Sequence, residues 1–247
     1  MLCIPLKCER ATCDSLFVSE GIIGNLTAVL YYMFFVISGI IIMFRLLNGQ
    51  KLSIMFKCLL GSVFGTLEFQ WIPIIFAFFM DFTVRAHICA LVIQVLVFIL
   101  VILKTNGGHG FVNTYKKPME WKRFLWENPA SIIIFASFVI FAYCLNTHTI
   151  LLNSDGSLHT GQATYSDMNM HIGFITSIAK QHTFPPEYSI YPGVKLAYPF
   201  LSDSISSSLY LLGASLRVAY IIPMLVAVMQ VFGGFYCFIK FWFKKGS

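Results

Sequence analysis

Charged residues are scarce in this chain. Only 11% of its 247 residues are Asp, Glu, Lys or Arg, whereas an ordinary soluble domain has about 25%. Hydrophobic residues make up 57% of the chain, and the mean hydropathy is +0.76. Because the apolar residues also form several runs of helix length, this composition excludes an ordinary soluble domain and predicts an all-α polytopic membrane protein.

The chain also lacks the signs of several other protein classes. Its net charge is +6, but the basic residues form short clusters between apolar runs rather than one soluble face, so we expect no nucleic-acid partner. The seven cysteines do not suggest a disulfide framework, because four of them lie in apolar segments. No signal-peptide core with a small-residue cleavage site is recognisable near the start, so we expect the first apolar run to be retained.

Five apolar runs approach or exceed the roughly 20 residues that a membrane span needs. They cover residues 21–47, 52–80, 86–103, 130–145 and 218–239. A shorter, Ser-rich run at 201–215 is too short and too polar to be a confident span. We therefore predict about five transmembrane helices plus one re-entrant or interfacial helix.

The distribution of Lys and Arg predicts the orientation. If the run at 201–215 does not cross, eleven of the 17 Lys and Arg residues fall on one side, and that side is predicted to be the cytoplasm. Residues 1–129 then form a three-span region with a basic cytoplasmic loop, whose basic and Trp residues are typical of an anchor on anionic lipid. Residues 130–247 form a second region with an external loop, 146–203, and the final span. We expect a multi-pass plasma-membrane protein.

The predicted external loop is longer than a simple connection between spans requires, which favours a functional role. Ser166 is a plausible helix N-cap, and the Pro185-Pro186 pair is expected to end the helix. Between them, apolar residues recur at helical spacing, at Met168, Ile172, Ile175 and Ala179. The segment therefore predicts a short amphipathic helix on the outer leaflet, with its apolar stripe towards lipid.

Two polar residues of this helix are candidates for chemistry. Asp167 and His171 stand four residues apart, so both can face one site. An ionised Asp at a lipid–water boundary can ligate a divalent cation or take a proton from a hydroxyl. The alternative is structural, since Asp and Asn are common in the first turn of a helix because they cap it. A third metal ligand would have to come from Asp203, His148 or elsewhere.

A longer series of motifs continues through the loop. It comprises Asp-x-x-x-His at 167–171, Phe-Pro-Pro-Glu at 184–187, Gly-x-x-Leu-x-Tyr at 193–198, and Asp203. In this order the series resembles the first external loop of GT-C-type multispanning membrane glycosyltransferases, and looks closest to uncharacterised prokaryotic members. The resemblance covers residues 130–245, roughly half of the chain.

The resemblance implies a polyprenyl-phosphate-linked sugar donor and an acceptor presented at the outer membrane face. It implies that Asp167 is the general base or a metal ligand, with Asn169 where many relatives have a second acidic residue. A divalent cation, Mg²⁺ or Mn²⁺, would then be a cofactor. The remaining candidates, which would bind the donor phosphate, the sugar or the acceptor, are His171, Lys180, Glu187, Lys195, Tyr198, Asp203 and Arg217.

Relatives of this kind have about twice as many spans, which implies a fragment or a separate chain that carries the remaining ones. The alternative function is a non-catalytic membrane subunit or transporter-like module that uses the loop for binding. Transport predicts that Glu68, near the middle of the second run, and Arg85 matter more than Asp167. We otherwise expect Glu68 to face the helix bundle, paired with Gln70 or with another helix.

Overall fold

The computed structural model of the protein describes residues 13–50, 52–106, 129–161, 165–191 and 193–243. This part of the chain is built mainly from helices, with one two-stranded antiparallel hairpin. In chain order the elements are α1 (Cys13–Leu46), α2 (Ile54–Met80), α3 (Val84–Asn106), α4 (Pro129–Thr149), β1 (Ile150–Leu152), β2 (Leu158–Thr160), α5 (Tyr165–Gln181), α6 (Leu201–Leu211) and α7 (Leu216–Phe243). The predicted basic anchor between α3 and α4 lies outside the described residues.

Four helices are long and apolar enough to cross a membrane, over Gly21–Leu46, Ile54–Met80, Val84–Thr105 and Leu216–Phe243. Large apolar side chains on their outer faces are exposed, as Phe79 is at 82%, which suits contact with lipid. These observations support an all-α, multi-pass membrane protein. The fifth predicted run corresponds to α4, and the total of five spans stays a prediction.

Glycines bring the backbones of α1 and α2 into direct contact. Gly61 and Gly65 lie one turn apart on α2, facing Gly39 on α1. A Cβ atom on Gly39 would lie 2.6 Å from the carbonyl oxygen of Gly61, and one on Gly65 would overlap the Phe35 carbonyl. Small residues of this kind let helices in a membrane approach closely enough for dispersion forces to hold them together.

Aromatic rings fill the space beside the glycine contact. Tyr32, Phe35 and Phe69 are fully buried. The ring of Phe69 meets the other two edge-on, at centroid distances of 4.7 Å from Tyr32 and 5.6 Å from Phe35. The hydroxyl of Tyr31 donates to the carbonyl of His87 at 2.7 Å, so the same cluster also fixes α3.

A hydrogen-bonded polar group links the three N-terminal helices within the apolar bundle. The amide Nε2 of Gln94 on α3 donates to Ser38 Oγ on α1 at 2.7 Å and to Glu68 Oε2 on α2 at 2.8 Å. Glu68 therefore faces the bundle and pairs with another helix, as the second alternative in the sequence reasoning held. Gln70 does not pair with it, since its amide donates to the Leu201 carbonyl.

The remaining elements gather at one end of the bundle, which we call the loop end. Arg217 Nη2 at the start of α7 donates to the Thr147 carbonyl at the end of α4, over 3.2 Å. The amide of Ser215 donates to Asn25 Oδ1 on α1 at 2.6 Å. The hairpin, α5 and α6 extend from these helix ends, so the loop end carries the described residues of the segment in which the sequence predicted a site.

The α5 helix forms where the sequence predicted it, with two corrections at its ends. It begins at Tyr165, so Ser166 lies inside the first turn and is not the residue that precedes the helix. It ends at Gln181, where His182 adopts a positive φ of 52°. A left-handed residue of this kind commonly follows a helix C-terminus, so the chain leaves the helix before the Pro185-Pro186 pair.

The apolar stripe of α5 packs on protein rather than facing lipid as predicted. Its buried side chains are Met168, Phe174, Ile175, Ile178 and Ala179. Phe174 and Ile178 share a cluster with Ala77 of α2, Phe82 and Leu196. The helix faces inward because the end of α2 and the segment before α6 provide apolar surface that the sequence pattern did not locate.

The α6 helix has 11 residues, or about 16 Å of length, which is too short to cross a membrane, as predicted. Its acidic residue and several serines are buried, and Ser207 donates its hydroxyl to the Asp203 carbonyl at 2.8 Å. A serine whose hydroxyl donates to a carbonyl of its own helix can be buried against a neighbouring helix without leaving that hydroxyl unpaired. Whether α6 is re-entrant or interfacial stays a prediction.

Replacing Gly65 by Ala should destabilise the bundle, because the added methyl group overlaps the backbone of α1. We expect Gly65→Ala to lower the free energy of unfolding by about 1–3 kcal/mol, measured by denaturant titration in detergent micelles. The same substitution at Gly21 is the control, because a Cβ there has no neighbour within 4 Å. Equal losses for the two variants would contradict the close-contact interpretation.

Candidate functional site

An aspartate and a histidine pair across the contact between α5 and α6. His171 Nδ1 lies 3.1 Å from Oδ1 and 3.0 Å from Oδ2 of Asp203. The side chain of Asp203 is 9% exposed, whereas that of His171 is 29% exposed. In the tautomer that carries a proton on Nδ1, the ring donates to the buried carboxylate, which fixes its orientation and leaves Nε2 as the acceptor.

Burial governs the electrostatics of this pair. Removal from water raises the pKa of the Asp203 carboxyl above its usual range, and the hydrogen bond from His171 acts in the opposite direction. The hydrogen bond from His171 thus stabilises the charged form of Asp203. In return, the Asp203 carboxylate holds the orientation of the His171 ring. Two side chains that the sequence predicted as separate candidates, for substrate binding or for a metal, form one hydrogen-bonded unit.

Aromatic rings complete the surroundings of His171. The Tyr198 ring meets the imidazole nearly edge-on at 5.9 Å between centroids, and the Phe174 ring does so at 6.3 Å. Phe174 is buried, while Tyr198 is 40% exposed. Tyr198 therefore forms part of the rim beside the imidazole, in a position where its ring could contact a ligand.

Asp167 lies one turn before His171 on the same face of α5. Its side chain is exposed, and it makes no hydrogen bond or ion pair with another described residue. Unlike His171, it is not oriented by any side chain that the structure describes. The predicted catalytic residue is thus adjacent to the pair but not part of it.

The metal site predicted at Asp167 and Asn169 stays a prediction, because no contact among the described residues joins the two side chains. Residues two apart on a helix point in different directions, and Asn169 Oδ1 instead accepts a hydrogen bond from Thr160 Oγ1 of β2 at 3.4 Å. Among the described residues, no three His, Cys, Asp or Glu side chains form a group that could hold a metal ion. We derive no catalytic step through a metal from this arrangement.

Glu187 and Lys195 close a loop, residues 187–195, which we call the Glu187 loop. Glu187 Oε2 accepts the Gly193 N–H at 3.1 Å, and its Oε1 lies 3.4 Å from Lys195 Nζ. The Gly193 N–H, and then Lys195, lower the pKa of the Glu187 carboxyl below its usual range. The carboxylate of this predicted substrate ligand is therefore engaged within the protein, while Lys195 is exposed.

The other predicted cations lie apart from the pair. Lys180 stands nine residues after His171 on α5, about 13 Å along the axis, with its Nζ 5.8 Å from the centre of the Tyr210 ring. Arg217 joins α7 to α4 through Thr147, and its buried Nε has no hydrogen-bond partner among the residues that the structure describes. Among the described residues, neither Lys180 nor Arg217 forms a hydrogen bond or ion pair with His171 or Asp203.

Sequence reasoning missed two residues that shape the site. The Gln181 side chain accepts the Glu187 N–H at 2.9 Å and donates to the Glu187 carbonyl at 3.1 Å. Asp81 Oδ1 accepts the Phe184 N–H at 3.0 Å. The place of Gln181 at a helix end before a proline pair was a usable local signal. The partner of Asp81 is 103 residues away, so no local pattern could have revealed it.

Comparison with known proteins found no matching family model, no matching curated protein and no matching solved structure. The likeness to GT-C enzymes therefore rests on the residue series of the loop.

Acidification should loosen the Glu187 loop. Because its folded-state pKa is lowered, Glu187 stabilises the closed loop above the ordinary Glu pKa of about 4.3, and this contribution is lost as the pH falls through the lowered value. Hydrogen exchange at the Gly193 amide, corrected for intrinsic rates, should show protection falling in that range. Glu187→Gln should remove the pH step, and an identical step in this variant would assign it to another group.

Proposed function

We propose that the chain is the N-terminal portion of a membrane glycosyltransferase. It would move a sugar from a polyprenyl-phosphate donor to an acceptor at the outer face of the plasma membrane. The observation that carries the proposal is the partly exposed His171, oriented by buried Asp203 one turn from Asp167, at the loop end of an apolar helical bundle. Transfer to a hydroxyl requires a positioned group that takes its proton.

In this proposal Nε2 of His171 takes the proton of the acceptor hydroxyl, and Asp203 holds the ring and stabilises the imidazolium. The acceptor oxygen forms a bond to the sugar carbon as the bond from that carbon to the phosphate oxygen breaks. The electron pair leaves with the polyprenyl phosphate, whose charge needs a cation or hydrogen-bond donors. Lys195, which is exposed near Tyr198, is the nearest predicted cation along the chain to the rim.

Asp167 is the second candidate for the base, on the ground of the GT-C resemblance. It is exposed on the same helical face, so an acceptor held between the two residues could reach either one. A role for Mg²⁺ or Mn²⁺ with Asp167 is part of the same proposal and is tested with it. We also propose that a separate or downstream chain carries the remaining spans, with residues 146–203 on the external side.

One observation favours the alternative of a transporter-like module or non-catalytic subunit. Glu68 lies inside a candidate span and is linked through Gln94 to Ser38. An ionisable residue at that depth is a functional candidate by default. In a transporter-like module Glu68 and Arg85 would carry the function, and the loop would serve for binding.

The test is sugar transfer in membranes from a panel of polyprenyl-phosphate donors, with and without the sequence that follows this chain in its genome. We expect His171→Gln to lower the rate by about 100-fold or more, the typical contribution of a general base. Asp203→Asn should also lower it, with a changed pH profile because the ring loses its anionic partner. His159→Gln is the control, since His159 is exposed on β2 and lies outside the pair.

The outcomes separate the candidates. Loss of transfer in Asp167→Asn but not in His171→Gln would make Asp167 the base, and loss on chelation with recovery by Mg²⁺ or Mn²⁺ would establish a metal requirement. Unchanged transfer in all three variants would reject this site. If the protein transfers sugar from none of these donors, the Glu68→Gln and His171→Gln variants are each tested for their ability to complement a strain that lacks the protein. A defect confined to Glu68→Gln would favour the transporter-like module.

A further inference from the structure

Two tight turns at the loop end have opposite chemistry. The turn between β1 and β2, residues 153–157, is polar and includes Asp155, which accepts hydrogen bonds from Ser157. The tip of the Glu187 loop is apolar, and its side chains Ile190, Tyr191 and Val194 are 75%, 69% and 49% exposed. No charged residue occurs between Tyr188 and Val194.

The apolar tip is held outward by an ordered stem. Backbone hydrogen bonds join Tyr188 N to the Val194 carbonyl and Leu196 N to the Pro186 carbonyl, both at 2.8 Å. Below them, Leu196 is buried in the cluster that contains Phe174, and Tyr188 packs against it. Ile190 and Tyr191 are therefore exposed beyond a stem whose two sides are joined by backbone hydrogen bonds.

The segment that leads into the Glu187 loop lies against the end of a candidate span. The Phe184 ring meets the ring of Phe78, in the last turn of α2, edge-on at 4.7 Å. Phe78 and its neighbour Phe79 are 63% and 82% exposed on that helix. Ile190 follows Phe184 by six residues, so it lies within about 20 Å of this point. The tip is therefore within reach of the layer where lipid headgroups meet the hydrocarbon.

We propose that the tip of the Glu187 loop inserts into the interfacial layer of the membrane that holds the bundle, and that its partner is bilayer lipid. Tyrosine favours this layer because its ring is apolar and its hydroxyl is polar. Ile190 and Val194 gain by leaving water, and the Glu187–Lys195 pair stays at the polar stem. Tyr198 follows Leu196 of the stem by two residues, so the insertion would also set the depth of the His171 rim relative to the membrane. The proposal does not depend on glycosyl transfer.

Photocrosslinking tests this contact directly in the full chain. Tyr191 is replaced by p-benzoyl-phenylalanine, which nearly preserves its shape, and the protein is reconstituted in vesicles of phosphatidylcholine and phosphatidylglycerol. The control carries the same residue at Ser154, in the exposed polar turn between β1 and β2. After irradiation, mass spectrometry should find about fivefold or more lipid adduct at 191 than at 154, because an inserted tip lies among lipid chains.

The same replacement at Ile190 repeats the measurement, so that one unreactive position does not decide it. Adduct at both tip positions in excess of the control supports insertion. Equal lipid adduct at the tip and at 154 overturns the proposal. Crosslinks from the tip to protein, with no lipid adduct, overturn it in favour of a surface for a second copy or another chain.

Discussion

Backbone contact between α1 and α2 is the interaction on which the rest of this bundle depends. Apolar side chains in a membrane gain nothing by leaving lipid for one another, so association needs close packing and polar links. Gly39, Gly61 and Gly65 supply the close packing, since each lacks the Cβ that would hold the helices apart. The aromatic cluster of Tyr32, Phe35 and Phe69 then fills the wider space beside them.

Polar links extend this two-helix unit to its neighbours. Gln94 connects α3 to both helices through Ser38 and Glu68. The amide of Gln230 on α7 donates to Thr66 on α2 at 2.9 Å. Each link satisfies groups that lipid could not hydrogen-bond, and each fixes the position of one helix relative to another. The Glu68 carboxyl therefore has a structural role, as the hydrogen-bond partner of Gln94. The same carboxyl would carry the function in a transporter-like module.

The candidate site depends on this bundle indirectly, through the helix and the loop segment that α2 holds in place. Gln70, in the C-terminal half of α2, holds the start of α6, and Asp81, directly after α2, holds the segment after α5. With α6 fixed, its buried Asp203 meets His171 at the contact between α5 and α6.

The structure distinguishes the two candidate bases, His171 and Asp167, which helical spacing alone did not separate. His171 is oriented by a buried carboxylate, whereas Asp167 is exposed and forms no hydrogen bond with another residue that the structure describes. A proton acceptor held in one orientation loses less entropy on meeting a hydroxyl than a free one does. This difference is the physical reason for placing His171 first in the proposed mechanism.

The sequence by itself determined the class of protein, the approximate helix bounds and the existence of α5 and α6. These features depend on local properties, namely apolar run length and helical spacing, which read directly from neighbouring residues. The sequence also singled out Asp167, His171 and Asp203 as candidates. Only the tertiary structure decided which of them pair, because His171 and Asp203 are 32 residues apart on different helices. It likewise decided that the apolar stripe of α5 covers protein instead of lipid, since an amphipathic pattern specifies that a face is buried but not what covers it.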